Sequence, residues 1–303
     1  MWQSIQAYLD NNWLLAISTP FYIILIAAEV LWSNYRKIKL YSVKETAINL
    51  WLNIANTALG LSIKFFILMV LGFFFKFSFV HIPNPYLYWF VLFLGVDICF
   101  YFEHRAAHFS RILWAIHVTH HSSQEFNLTT GFRSSVFRPF VSFFFFIPLA
   151  FLGFNPLDIL FMDALCQIYG IIVHTQYIIK MPKWFEAIFV TPSHHRVHHA
   201  SNILYLDKNM GMVLIVWDRI FNTFQQELHN EKVVYGLTKN PDKPHHPLMI
   251  IFHEWIQLGK DVWNKKTNVV EKIKYILYPP GWSHDGSTKT SHELRKELKE
   301  NKL

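Results

Sequence analysis

Long apolar runs alternate along the chain with short polar segments, and their lengths predict helices that cross a bilayer. Residues 13–32, WLLAISTPFYIILIAAEVLW, are about long enough for one crossing, with Glu29 near one end and a kink expected at Pro20. The next run, residues 48–80, would make roughly 50 Å of helix against a hydrocarbon core of about 30 Å. It reads as one span with an interfacial lead-in, not as two broken near Lys64. HIPNP at 81–85 is a turn sequence that suits a return by residues 86–102. Two further runs, 136–154 and 156–179, are joined at GFNP. The expectation is an all-α integral membrane protein with four or five transmembrane helices.

Composition agrees with that class. Hydrophobic residues make up 52% of the 303 residues and aromatic residues 17%, including 29 phenylalanines. The formal net charge is +7, but the basic residues sit beside apolar spans. They point to a surface facing anionic lipid and away from nucleic acid. The two cysteines, Cys99 and Cys166, lie inside apolar runs, so neither a disulfide framework nor a thiolate metal site is indicated. The N-terminus has no charged n-region or obvious cleavage site, and no removable signal peptide is expected. The chain reads as one working unit in three parts: a transmembrane region at 1–96, a histidine-bearing region at 97–240, and a polar, amphipathic tail at 241–303.

The histidines change the picture from a generic membrane protein to one with a metal site. Nine of the 17 fall within residues 104–121 and 194–199. His104 and His108 are spaced i, i+4; His117, His120 and His121 are spaced i, i+3 and i+4; His195, His198 and His199 repeat that HxxHH pattern. On helices each set converges on one face. Imidazole is a common ligand for first-row metals, and packing many together without a cation sets donors against donors. His108 and His117 are nine residues apart, roughly 13 Å along a straight helix, whereas paired metals sit about 3.5–4 Å apart. The chain is therefore expected to turn near Phe109 and Ser110, with Ser110 capping a helix that starts at Arg111. His81, His229, His253, His284 and His292 stand alone and read as ordinary packed or surface residues.

Topology follows from the charges. Arg36, Lys37, Lys39 and Lys44 form a short basic loop of the kind retained in the cytoplasm. Histidine clusters that share metals need an even number of crossings between them, and the two runs at 136–154 and 156–179 supply it. Five spans then give an outside N-terminus and a histidine-bearing cap facing the cytoplasm; a four-span count leaves the cap where it is. His174, near the cytoplasmic end of the last run, is a candidate ligand because ionisable groups in apolar spans are functional by default. His194 adjoins His195 and so points elsewhere on a helix. It is expected to sit outside the ligand set.

Beyond the second cluster, Asp207, Asn209 and Asp218 are candidates to orient ligand imidazoles through their second ring nitrogen. Residues 212–217 are apolar but too short to span. KNPDKPHHP at 239–247 reads as a linker with solvated His245 and His246, 255–278 as a surface amphipathic helix, and the last twenty residues as a frayed end.

HRAAH, HVTHH and HHRVHH together resemble the eight-histidine signature of the fatty acid hydroxylase and sterol desaturase superfamily of membrane di-iron oxygenases. THHSSQEFNLTTGFRSS at 119–135, TPSHHRVHHASN at 191–202, LDKNMGMVLIVWDRIFNTF at 206–224 and EKVVYGL at 231–237 are similar to its alkylglycerol monooxygenase branch. The likeness runs from about residue 97 to 237. It implies two iron ions held by His104, His108, His117, His120, His121, His195, His198 and His199, with His174 as a ninth ligand. Nitrogen ligation alone does not select iron; iron comes with the resemblance, as does tetrahydropterin as a candidate cofactor. It further implies a membrane lipid substrate and O2. No haem-attachment motif, phosphate-binding glycine loop or cytochrome b5-like segment is evident, so a separate electron donor is expected.

Three function classes compete on the sequence. The leading one is a lipid hydroxylase, with desaturation as a variant of the same oxidation. A metal-dependent membrane hydrolase would work without oxygen. A metal-binding or transport protein would move metal without oxidising lipid, but the histidines lie at the ends of spans and not along a polar path.

Overall fold

The computed structural model describes residues 13–242 and 244–300, which form twelve α-helices and one 3-10 turn, with isolated bridges at Phe189–Leu214 and Ala200–Tyr235. The apolar part comprises α1 (Trp13–Tyr35), α2 (Val43–Phe75), α3 (Pro85–Phe109), α5 (Pro139–Leu152) and α6 (Pro156–Ile172). The cap is built from α4 (Arg111–His121), the 3-10 turn Leu128–Phe132, α7 (Lys183–Ile188), α8 (Pro192–His198), α9 (Val216–Ile220), α10 (Pro247–Val262), α11 (Val269–Leu277) and α12 (Ser291–Glu300).

Sequence signals set the helix ends. Ser42 caps α2 by accepting from the Glu45 N–H at 3.2 Å, and Asn84 caps α3 by accepting from the Leu87 N–H at 3.0 Å, with Pro85 in the first turn. α2 continues through Lys64 as one helix. The hairpin between α5 and α6 turns at Gly153, φ +114°, where an added Cβ would lie 2.2 Å from the Val80 carbonyl oxygen. Asn155 then caps α6. The break after α3 falls at Ser110 as expected, although extended backbone makes it (φ −132°, ψ 122°) and the Ser110 side chain forms no cap bond.

Among the described residues two helices, α2 and α3, are long and apolar enough to cross a membrane. α5, with 14 residues, is about 21 Å long, and α6, with 17, about 26 Å. Both fall short of a roughly 30 Å hydrocarbon core. They nonetheless form a hairpin, so α6 leads back to the face that α5 left. Leu71, Leu92, Val96, Phe146, Leu149 and Ile159 form the buried centre where α2, α3, α5 and α6 meet. The outward faces keep Phe65, Phe66, Phe73 and Phe90 exposed, as helices solvated by lipid do.

The tail departs from expectation. The helix expected over 255–278 is two helices, because an Asn264–Thr267 turn interrupts it and Asn268 with Glu271 forms a new capping box. The end expected to fray is helical and docked: Ser291 Oγ donates to Asp207, and Arg295 Nη1 donates to the Leu206 carbonyl at 2.6 Å. His245 is not simply solvated, since its Nδ1 lies 2.8 Å from Glu45 Oε1. His246 caps α10.

Candidate metal centre

The site forms where α3 ends and the cap begins. α3 delivers His104 and His108, α4 delivers His117, His120 and His121, and the turn after α6 delivers His174. α8 and its C-cap deliver His195, His198 and His199. Their ring nitrogens gather into two adjoining groups: His104, His108, His117, His121 and His198, and His120, His174, His195 and His199. Within each, one nitrogen per residue lies within 4.8 Å of the others. His121 of the first group stacks on His199 of the second, with ring centroids 4.6 Å apart. His194 stays outside both groups: its Nδ1 accepts from the Thr191 N–H that opens α8, and its ring meets Phe224.

Hydrogen bonds outside the cluster fix the tautomers. Nδ1 of His104 bonds the Met210 carbonyl (2.8 Å), of His198 the Lys208 carbonyl (2.9 Å), and of His108 the Asp207 carboxylate (3.0 Å). In the second group, Nδ1 of His120 bonds the Arg133 carbonyl (3.0 Å) and that of His174 the Gly170 carbonyl (2.7 Å). These oxygens only accept, so each Nδ1 carries the proton and each Nε2 presents a lone pair. His174 and His120 thus set lone pair against lone pair at 3.4 Å. The buried Nε2 atoms of His108 and His198 have no hydrogen-bond partner at all. Such an array is costly without a cation and suits one well. Burial, reinforced by neighbouring imidazoles, holds His117, His121, His195, His198 and His199 well below the ordinary histidine pKa and brings His120 to about 3. Burial thus favours the neutral form of these six rings, the form that binds metal.

A second layer braces this arrangement. Burial raises the Asp207 carboxyl, but hydrogen bonds from His108 and Ser291 outweigh it and hold the group below its usual value. Asp218 accepts from the Met210 and Gly211 N–H groups at 2.7 and 2.8 Å, and so shapes the loop whose carbonyl orients His104. Asn209 bonds the His194 carbonyl and both backbone groups of Gln225, and touches no ligand ring. Of the three expected orienting residues, only Asp207 touches one of the clustered rings directly.

Arg133 carries no such expectation from the sequence, yet it is fully buried and central. It bonds Glu45 and Asn49 of α2 at 2.9 Å each, and the Thr119 carbonyl and Ser122 Oγ at 3.1 Å, while its own carbonyl receives His120. Glu29 accepts from the Leu128 N–H, Thr175 Oγ1 and Tyr41, which fastens α1 to the turn that carries His174. At Gly131 a Cβ would press within 3.1 Å of His174 Nδ1. The signal for Arg133 was its place in THHSSQEFNLTTGFRSS, a motif that by itself assigns no role.

Two cavities reach the imidazoles and share no lining residue. One, of about 110 Å³, is mainly apolar, with Phe100, Ile116, Phe145, Ile171 and Met212 in its walls, and touches His104, His117, His120, His174 and His195. Arg138 in its wall bonds both oxygens of Glu103 (3.0 and 3.1 Å), and the Gln167 carbonyl, in the orientation that satisfies both its ends, accepts from Arg138 at 2.8 and 3.0 Å. The other, of about 620 Å³, is more polar and touches His108, His121, His198 and His199 from the cap side.

A membrane-length helix that ends in converging imidazoles beside an apolar cavity defines a helical membrane protein with a histidine cluster able to bind metal. Residues 89–223 match the family model described as Fatty acid hydroxylase, and the relatives similar to the chain are named as a lipid mono-oxygenase, a lipid hydroxylase and a sterol desaturase. It is 42% identical to alkylglycerol monooxygenase of Homo sapiens over 195 residues, covering 64% of this chain and 42% of that protein. Alkylglycerol monooxygenase of Caenorhabditis elegans is 34% identical over 214 residues (66% of this chain, 40% of that protein). Ornithine lipid hydroxylase OlsE of Rhizobium tropici is 30% identical over 143 residues (46% and 42%). The chain thus spans about two fifths of the length of these relatives. No solved structure matches it significantly.

Proposed function

We propose that the protein is a membrane-bound lipid oxygenase that uses two iron ions, O2 and an external reductant to hydroxylate, or in a variant outcome desaturate, an alkyl or acyl chain. For hydroxylation the balance is one C–H bond, one O2, two electrons and two protons giving an alcohol and water. The observation that carries this reading is the pair of adjoining imidazole groups opening onto an apolar cavity. Relatives named as lipid mono-oxygenase, lipid hydroxylase and sterol desaturase support it.

The ligands in this reading are His104, His108, His117, His121 and His198 for one ion and His120, His174, His195 and His199 for the other. When bound, the pair of irons supplies the redox capacity to activate dioxygen. The protein does the rest. Asp207 and the carbonyls of Arg133, Lys208, Met210 and Gly170 hold the rings of His108, His120, His198, His104 and His174 with Nε2 turned inward. Phe100, Ile116, Phe145 and Met212 receive the alkyl chain and exclude water from it. Arg138, shared between Glu103 and Gln167, stands where this cavity meets a groove among α1, α2, α5 and α6, and that groove is the lateral route for lipid. The reductant approaches from the opposite, more polar cavity. The basic segment 36–44 keeps the cap on the cytoplasmic side, where reductants are supplied.

Lipid profiles of cells with and without the protein identify the substrate. Purified protein is then supplied with isotopically labelled dioxygen, and with tetrahydropterin or an electron-transfer protein as the reductant. Label in the hydroxylated lipid supports the reading. Turnover that persists without oxygen places the protein among hydrolases instead, and metal flux without lipid oxidation makes it a transporter.

A further inference from the structure

α10 and α11 each present an outward apolar stripe. On α10, Leu248, Phe252 and Ile256 recur at i, i+4 and i+8, and Trp263 just beyond continues the same face. On α11, Val269, Val270, Ile273 and Leu277 fall within one arc of about 100°. All eight are exposed, Trp263 at 81% and Val269 at 72%. The opposite faces are spoken for: Ile250 and Ile251 pack on Ile48 and Leu52 of α2, and Tyr275 is buried with its hydroxyl 2.8 Å from His284 Nδ1. Isolated exposed apolar residues are ordinary, but two aligned stripes are not.

The charges around the stripes have one sign. Lys260, Lys265, Lys266, Lys272 and Lys274 lie along α10, α11 and the turn between them. The acidic groups there are turned to internal uses. Glu254 and Asp261 bind Arg111 at 2.8 and 2.7 Å, and Glu271 closes the capping box on Asn268. The stripe is also continuous with the bundle, since Phe252 meets Phe137, just before α5, at 5.8 Å between ring centroids and α10 packs on the start of α2.

We propose that α10 and α11 form a lipid-binding surface that lies in the interface of an anionic leaflet, with Trp263, Val269, Ile273 and Leu277 inserted and the lysines at the headgroups. Amphipathic helices of this pattern sit about 5–10 Å into the headgroup–acyl boundary, and lysines near an anionic surface add to the attraction. The surface fixes the cap at the depth where the first turns of α2 enter the bilayer. It does not depend on what the metal centre catalyses.

The test uses the full chain reconstituted in vesicles of zwitterionic lipid, with or without an anionic lipid, carrying a nitroxide at Ile273→Cys, Trp263→Cys or, as an aqueous control, Asn230→Cys. Metal content equal to that of the unsubstituted protein confirms folding. At positions 273 and 263, collision with a water-soluble nickel chelate is expected to fall severalfold below the control while collision with oxygen rises. Anionic lipid should deepen the protection, and Lys265→Glu with Lys266→Glu and Lys272→Glu should abolish that increment. Chelate access equal to that at position 230 would overturn the proposal. So would protection seen in native membranes but lost in pure lipid, which marks a protein partner, or protection indifferent to lipid charge.

Discussion

The two imidazole groups are built alike in their side chains and differently in what holds them. The five-histidine group takes its orienting partners from one short stretch, Asp207, Lys208 and Met210, which is braced by Asp218 and by Ser291 and Arg295 of the C-terminal helix. The four-histidine group leans on the helical bundle, through the Gly170 carbonyl of α6 and through Arg133, which is locked to α2 by Glu45 and Asn49. One group is thus coupled to the cap, the other to the part of the protein that meets lipid. Disturbance in either region should reach the two groups unequally.

The sharpest way to break this comparison is to remove a ligand. His195→Ala leaves three imidazoles in its group, fewer than the four nitrogen or sulfur donors of a closed site, whereas His198→Ala leaves four in the other. Elemental analysis should show the greater metal loss for His195→Ala, and turnover should vanish in both. His292→Ala, at an exposed position in α12, should change neither. Equal effects at all three would mean that the grouping is wrong.

Next in size is Arg133→Met, which leaves Glu45 and Asn49 without their buried partner. Breaking a buried pair costs about 3–5 kcal/mol, so a lowered thermal midpoint is expected, along with loss of metal chiefly from the four-histidine group. Loss confined to the five-histidine group would contradict the coupling to α2.

The smaller effects lie on the cap side. Asp207→Ala removes the acceptor that fixes His108, and partners of this kind are worth roughly 10–100-fold in metal affinity. Competition with a chelator measures it. Ser291→Ala removes one hydrogen bond to Asp207, worth about 1 kcal/mol, and should weaken affinity in the same direction by less. If Ser291→Ala matched or exceeded Asp207→Ala, the order of support from α12 to Asp207 to His108 would be wrong.

What was legible in the sequence follows the range of the interactions. The break between His108 and His117, the GFNP turn and the convergence of nine histidines depend on local periodicity and capping residues, which a single sequence displays. His174 was legible because a histidine in an apolar run is conspicuous. Arg133 was not, because its importance comes from Glu45 and Asn49, more than eighty residues away. The docking of α12 was hidden for the same reason: SHELRKELKE looks solvated until Asp207 and Leu206 are placed beside Ser291 and Arg295. His245 looked solvated until Glu45 came within reach. The division of the tail at residues 263–268 was within reach, since Asn268 followed three residues later by Glu271 is a capping box written in the chain. The lengths of α5 and α6 depended on where apolar residues stop being helical, which composition does not mark.

The central claim is that this chain holds two metal ions in two imidazole groups, and the most direct measurement is the metal content of gently purified, folded protein. The account predicts two transition-metal ions per chain, with His195→Ala and His198→Ala each lowering that number. One ion or none in the unsubstituted, folded protein would contradict it.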